Sequence, residues 1–330
     1  MPAHLAGRFR EPRGFAQASA GHFLVFDRRA HAVVGVDEAM TSAYTVVDIG
    51  AEPGHIIGPT AFGIAADGSF VVADAPRGQG RVQVFSSAGQ LLSAFLLPGP
   101  ARTRLLIDGF AASGVAALHY TGRSVLISQP EYGGLITEYS LTGRLIRSFG
   151  EPRTTGHEND TDVHLALNNG LIMPTPDGGC YFVFQAGQPA FRKYDAEGRL
   201  QFERRVQGLE IDSVVASLPD RWPRGADEQP MIPPTVRAAV VDAAGQLWIS
   251  FSIPFTYVFD RDGDKVRVVQ FRAAGVVSPS SLTLGTNGRL LVTPGLVMFD
   301  PAIVSTVPAT TTTLEPIIMR PQTPAAGGQR

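Results

Sequence analysis

Short apolar runs, alternating or continuous, follow one another along the chain, each bounded by a glycine-containing turn. The pattern is clearest at Ala65-Ala66-Asp67-Gly68-Ser69-Phe70-Val71-Val72-Ala73-Asp74, then Arg81-Val82-Gln83-Val84-Phe85, then Ala88-Gly89-Gln90-Leu91-Leu92-Ser93-Ala94-Phe95. It returns around Gly122 and Gly143, 54 residues after Gly68 and Gly89. Further copies surround Gly178 and Gly198, Gly245 and Gly263, Gly288, and, near the start, Gly21. Asp-Gly, Asn-Gly and Ala-Gly between β-rich runs are hairpin signals, because glycine accepts the positive φ of a tight turn. No segment carries a 3.6-residue apolar stripe over three turns, so helices should be few.

Six copies of a four-stranded antiparallel unit bury their faces on one another, and a radial arrangement closes the set without long exposed edges. The expected fold is therefore all-β, a six-bladed β-propeller over residues 1–302. The last copy runs out one strand short near Asp300, so residues 3–9 are expected to supply its outer strand and close the ring. Small residues before each first turn, such as Gly63-Ile64-Ala65, Gly114-Val115-Ala116-Ala117 and Arg237-Ala238-Ala239, suit crowding at the axis. Residues 303–330, rich in Thr, Pro and Ala, read as a mobile tail. Two stretches break the period, 150–163 and 208–234, and long connections of this kind are often functional.

Composition narrows the chemistry. With 330 residues and 44% hydrophobic content, the chain can bury a core of its own. A net charge of -2 offers no broad attraction for nucleic acid or anionic lipid. No run of about 18 apolar residues predicts membrane insertion. The single cysteine, Cys180, excludes an intramolecular disulfide and a thiolate metal site, and it lies inside an apolar strand. There is no Gly-x-Ser-x-Gly elbow and no glycine-rich phosphate loop before a helix. The first residues lack the basic start and apolar run of a secretory signal.

The wording from Gly63 to Asp74, with Arg81-Val82-Gln83-Val84-Phe85 and Gly89, resembles the NHL repeat of TolB-like six-bladed propellers. The match is good in this blade, partial in blades three to five, and mainly periodic in blades one and six. Bacterial relatives are often exported, so the resemblance implies a periplasmic or secreted protein. The family includes binding modules, metal-dependent lyases and hydrolase-like enzymes. Its amidating lyases hold zinc with histidines from separate blades, and His55 with His157 or His164 would occupy comparable loops; the sequence offers no obvious third histidine.

Successive strands reverse direction, so the second-to-third-strand loops and the blade-to-blade connections share one face, here called the top. Both long inserts fall there, where a rigid scaffold with variable loops binds ligands. The densest polar group is His157-Glu158-Asn159-Asp160-Thr161-Asp162-Val163-His164, which reads either as a solvated loop or as a site for zinc or calcium together with His55. Arg77 and Arg237 are candidates for clamping a carboxylate or phosphate; the plainer alternative pairs Arg237 with Asp74 across blades. Glu131 and Tyr132 are further top-loop candidates, with Glu131 as the general base if there is one. Arg221 and Trp222 suit a protein or sugar contact, unless Trp222 plugs its loop against the propeller. Two functions follow. The first is a binding propeller that recognises a protein, peptide or glycan through its top loops. The alternative is a metal-dependent lyase or hydrolase with an axial site.

Overall fold

The structure, a computed structural model, describes residues 1–100, 103–107, 110–226, 228–271, 275–301 and 311–313. Blade 1 is β1 (Pro12–Gln17), β2 (Phe23–Asp27), β3 (Ala32–Val36) and β4 (Ala43–Val47). Blade 2 is β5 (Ala61–Ile64), β6 (Phe70–Asp74), β7 (Gln79–Phe85) and β8 (Leu91–Pro100), and a hairpin of β9 (Thr103–Ile107) and β10 (Phe110–Ser113) follows it. Blade 3 is β11 (Leu118–Tyr120), β12 (Ser124–Ser128), β13 (Ile136–Ser140) and β14 (Leu145–Phe149). Blade 4 is β15 (Gly170–Pro174), β16 (Cys180–Phe184), β17 (Ala190–Tyr194) and β18 (Leu200–Arg205). Blade 5 is β19 (Val236–Val241), β20 (Leu247–Phe251), β21 (Thr256–Phe259) and β22 (Lys265–Gln270). Blade 6 shows β23 (Ser281–Leu284), β24 (Leu290–Thr293) and β25 (Val297–Phe299), three strands among the described residues.

Each blade is an antiparallel meander in sequence order. The turns work as the glycines predict: Gly68, between β5 and β6, and Gly89, between β7 and β8, both have φ +84°. The innermost strands β1, β5, β11, β15, β19 and β23 each touch the next, and β23 returns to β1, so the ring is closed. The fold is a six-bladed β-propeller.

Small inner-strand residues matter for the reason crowding suggests. A Cβ at Gly63 would lie 2.8 Å from Leu118 Cδ1, and one at Gly14 would lie 2.8 Å from Phe62 Cδ1. Between blades, aromatic and β-branched side chains interlock. Phe26 of blade 1 stacks on Phe62 of blade 2 at 5.4 Å, and Phe62 meets Phe70 within blade 2 at 5.9 Å. In blade 3 the inner strand begins at Leu118, just after the Gly114–Ala117 stretch that the pattern suggested.

Ring closure differs from the expectation. Residues Ala3–Ala6 form a short helix, α1, and not an outer strand. Ala3, Leu5 and Ala6 are good helix formers, and the segment has no β-branched residue to favour a strand. Leu5 drops into a cluster with Phe15, Leu291, Leu296 and Met298, and the Met1 amino group donates to the Leu296 carbonyl at 2.7 Å. Blades 6 and 1 are thus joined by packing and by side-chain bonds, including the Thr283 hydroxyl on the Phe15 carbonyl. Of the segment read as a tail, Thr311–Thr313 forms β26, which runs parallel to β22 at the edge of blade 5; residues 302–310 and 314–330 lie outside the described residues.

Candidate functional site

A cap stands on the top face. The β9–β10 hairpin, the insert after β14 and the insert after β18 meet there around a small apolar core. The second of these contains α2 (Thr161–Leu167), and the third begins with α3 (Leu209–Ala216). Leu105 from the hairpin, Val163, Ala166 and Leu167 from α2, Ala186, and Ile232 are all buried together, and Ala116 and Trp222 pack against them. Trp222 is therefore a plug in this cap, and its buried indole N–H has no hydrogen-bond partner among the described residues. Arg221 beside it is exposed.

The polar cluster 157–164 builds this cap. Asp160 caps α2 by accepting from the Val163 amide at 3.3 Å, and it takes both oxygens to Arg224 at 2.6 and 2.7 Å, which ties the two inserts together. That ion pair holds the Asp160 carboxyl below its ordinary pKa. Glu158 accepts from the Thr155 and Gly156 amides, and these bonds lower its pKa too. His164 Nδ1 lies 2.8 Å from Thr155 Oγ1 and 3.9 Å from Glu158. The His157 carbonyl accepts from the Asp160 amide at 2.8 Å. Arg153 anchors the base of the insert on the Leu167, Ala186 and Gln188 carbonyls, over the Phe184 ring. Desolvation there pushes its pKa down to about 10.

His55 belongs to a different assembly. It sits on the connection into blade 2, with Nδ1 2.5 Å from Asp48, and it is half exposed. Among the described residues no group of three or more His, Cys, Asp or Glu side chains is arranged to hold a metal ion. The connection is fixed from below by Asp74 and Arg81. Arg81 Nε donates to Asp74 Oδ1 at 2.9 Å and Nη2 to Oδ2 at 2.6 Å, while Nη1 reaches the Ala51 carbonyl at 2.7 Å and Nη2 the His55 carbonyl at 3.0 Å. Asp74 thus pairs within its own blade, on the adjacent strand β7, and not with Arg237 across blades.

The remaining loop candidates lie on the connections between second and third strands of blades 2 and 3. Arg77 is exposed at the tip of the β6–β7 connection with φ +55°. Glu131 and Tyr132 are exposed on a 3-10 turn between β12 and β13, and the Tyr132 hydroxyl donates to the Pro98 carbonyl at 2.8 Å. Cys180 is buried, and its thiol pKa is pushed up to about 12 by desolvation, which keeps it inert at neutral pH.

Arg237 has a different setting. It lines a cavity of about 420 Å³ inside the ring, walled by the inner strands of all six blades, a size suited to a small ligand or a chain end. The polar lining gathers where inner strands begin and second strands end, which is the top: Arg13, Arg28, Thr60, Gln185, Arg237 and Ser280. Deeper walls are mainly apolar, including Phe62, Ile64, Met173 and Leu284, with Thr283 among them. Arg13 and Arg28 share the Glu11 carboxylate at 2.9 and 2.7 Å, and all three side chains are largely buried. His119, on β11, also lines the cavity, and burial lowers its imidazole pKa to about 4. The cap adjoins this mouth, since Ala116 belongs to both and Ala186 follows Gln185.

Only Arg237 of the candidates from sequence lines the channel; the sequence does not mark Arg13, Arg28 or Gln185, and it reads His119 as a residue on or beside a strand. One signal was present for Arg13. It is the second residue of β1, as Arg237 is of β19, and both stand at register shifts, between Pro12 and Gly14 and between Val236 and Ala238. Aligning the repeats strand by strand would have paired them.

No protein-family model matches the chain, and no curated protein sequence is similar to it. Solved structures are similar in fold at low identity. Virginiamycin B lyase from Staphylococcus aureus is 11% identical over 88% of this chain and 80% of its own, with a TM-score of 0.52. A streptogramin B lyase is 12% identical over 87% of this chain and 91% of its own, with a TM-score of 0.53. The hydrazine synthase of Kuenenia stuttgartiensis is 10% identical over 88% of this chain and 77% of its own, with a TM-score of 0.50. At these identities the likeness is one of fold, and it agrees with the β-propeller built above from the strands themselves.

Proposed function

We propose that the chain is a binding propeller that recognises a protein, peptide or glycan at its top face, with the mouth of the channel as the receiving pocket. The observation that carries this reading is the convergence of Arg13, Arg28, Arg237 and Gln185 on one end of a cavity whose remaining walls are mainly apolar. Polar groups that fix orientation above apolar walls that supply affinity are the general form of a ligand site. The cap beside the mouth gives the larger surface that a macromolecular partner needs. In the same reading the chain is an NHL-type propeller working in the periplasm or outside the cell, on the strength of the blade 2 wording. Among the described residues no helix is long and apolar enough to cross a membrane.

The test is capture on arrays of immobilised peptides and glycans, with Thr60→Trp as the comparison. Thr60 stands at the mouth and partly faces solvent, so a larger side chain there fills the entrance. The wild type should retain a defined set of ligands, and Thr60→Trp should lose it. An identical set from both proteins removes the channel from the function. Ligands should be recovered chemically intact; a ligand recovered with a bond broken moves the reading to the lyase or hydrolase alternative.

A further inference from the structure

The lining of the channel's top end includes both cationic donors and a buried amide acceptor. Arg237 occupies a register shift at the start of β19, and Arg13 occupies the matching shift on β1. Bulges of this kind re-aim a side chain and cluster next to binding sites. Glu11 holds Arg13 at 2.9 Å, and so orients it as well as partly neutralising it. Gln185 lines the same cavity, is 4% exposed, and its Oε1 accepts no hydrogen bond among the described residues. Its backbone carbonyl accepts from the Thr235 and Val236 amides at 2.8 and 3.0 Å, which brings it within one residue of Arg237. Below them the wall is mainly apolar.

A buried acceptor without a partner needs a donor, and a guanidinium is matched by a planar carboxylate. An inorganic phosphate would answer the arginines, and its P–OH could donate to Gln185, but it would leave the apolar wall below unfilled. A carboxylate with an N–H one carbon away answers both, and the last residue of a peptide is such a group. We propose that this end of the channel takes a peptide C-terminus. Its carboxylate goes to Arg237, with Arg13 as the second cation; its last amide N–H donates to Gln185 Oε1; and its final side chain enters the apolar part of the channel. Capture of a chain end is a recognised mode of peptide binding. The inference rests on the binding reading above and specifies the ligand for that site. A free N-acyl amino acid carries the same chemistry, so the test separates the two sources.

Fluorescence polarisation decides it, with labelled octapeptides that have random upstream positions and a C-terminal leucine. One pool ends in a free carboxylate, a second in a primary amide, and a third replaces the last amide link by an ester; N-acetyl-leucine is the competitor. The carboxylate pool should bind at least tenfold more tightly than the amide pool. Arg237→Met should weaken the carboxylate pool at least tenfold and leave the amide pool unchanged, as loss of a charge-assisted hydrogen bond requires. The ester pool should bind more weakly than the amide-linked carboxylate pool, and Gln185→Leu, checked by thermal melting to be folded, should erase that difference. Equal binding of acid and amide pools overturns the proposal. N-acetyl-leucine competing as strongly as the octapeptide overturns the peptide as occupant. If none of the pools binds while the array ligands are still captured in a Thr60-dependent way, this inference fails and the binding reading survives.

Discussion

Asp74→Ala is the sharpest test of how the top face is held in shape. Asp74 has no exposed side-chain surface, and Arg81 has 6%. Removing the carboxylate deletes both charge-assisted bonds, at 2.9 and 2.6 Å, along with the bond at 3.1 Å from the Ile57 amide. The guanidinium keeps the Ala51 and His55 carbonyls but loses its counter-charge in a dry setting. Breaking one side of a buried pair costs about 3–5 kcal/mol, because the charge left behind stays uncompensated. Urea unfolding followed by circular dichroism measures the loss, and hydrogen exchange of residues 48–58 should show that connection opening first. Arg199→Ala, whose side chain is 74% exposed in its pair with Asp195, is the control and should leave the midpoint unchanged. The double variant Asp74→Leu with Arg81→Met removes both charges and should recover much of the loss, since an apolar pair of similar volume is tolerated where half an ion pair is not. A loss below about 1 kcal/mol for Asp74→Ala would refute the reasoning, for it would mean that water reaches the pair.

Other outcomes follow from the cap and the channel. His119 has its folded pKa lowered to about 4 against about 6.5 unfolded, so the unfolded chain binds a proton first; stability should fall by about 3 kcal/mol between pH 6.5 and 4, and His119→Gln should lose that part of the slope in pH-dependent unfolding. Trp222→Ala should destabilise the cap by about 2–4 kcal/mol through the cavity it leaves, whereas Trp222→Phe, which removes the unpaired buried N–H, should cost less than about 1 kcal/mol; equal losses in thermal unfolding would contradict the plug. Elemental mass spectrometry of protein purified without chelators or a histidine tag should find zinc and calcium well below one equivalent, unchanged by His157→Ala with His164→Ala. A stoichiometric metal lost in that variant would favour the lyase or hydrolase reading instead.

The architecture was legible because a propeller is written locally. Each blade is a meander whose turns are marked by glycines such as Gly68 and Gly89, and whose strands alternate between turn and turn, so a window of some 50 residues contains its own instructions. The failure at the N-terminus has the same origin. The strand expected of residues 3–9 follows only from what blade 6 lacks, while the Ala and Leu content of Ala3–Ala6 favours the helix that forms.

The site was legible only in part. Arg237 was found because it begins a recognisable repeat; Gln185 was not, since nothing in its neighbourhood marks a buried acceptor without a partner. The acidic and histidine-rich run 157–164 looked like a ligand set, yet Asp160 caps α2 and holds Arg224, a residue 64 positions away. Likewise, Asp74 turned to Arg81 on the neighbouring strand. The sequence by itself determined the blades, their number and the face that carries the long loops, because those depend on turn chemistry and a period of two along each strand. Only the tertiary structure decided which polar side chains meet at the axis and which are spent on holding inserts together, because partners so far apart in the chain are chosen by closure of the ring and not by any local pattern.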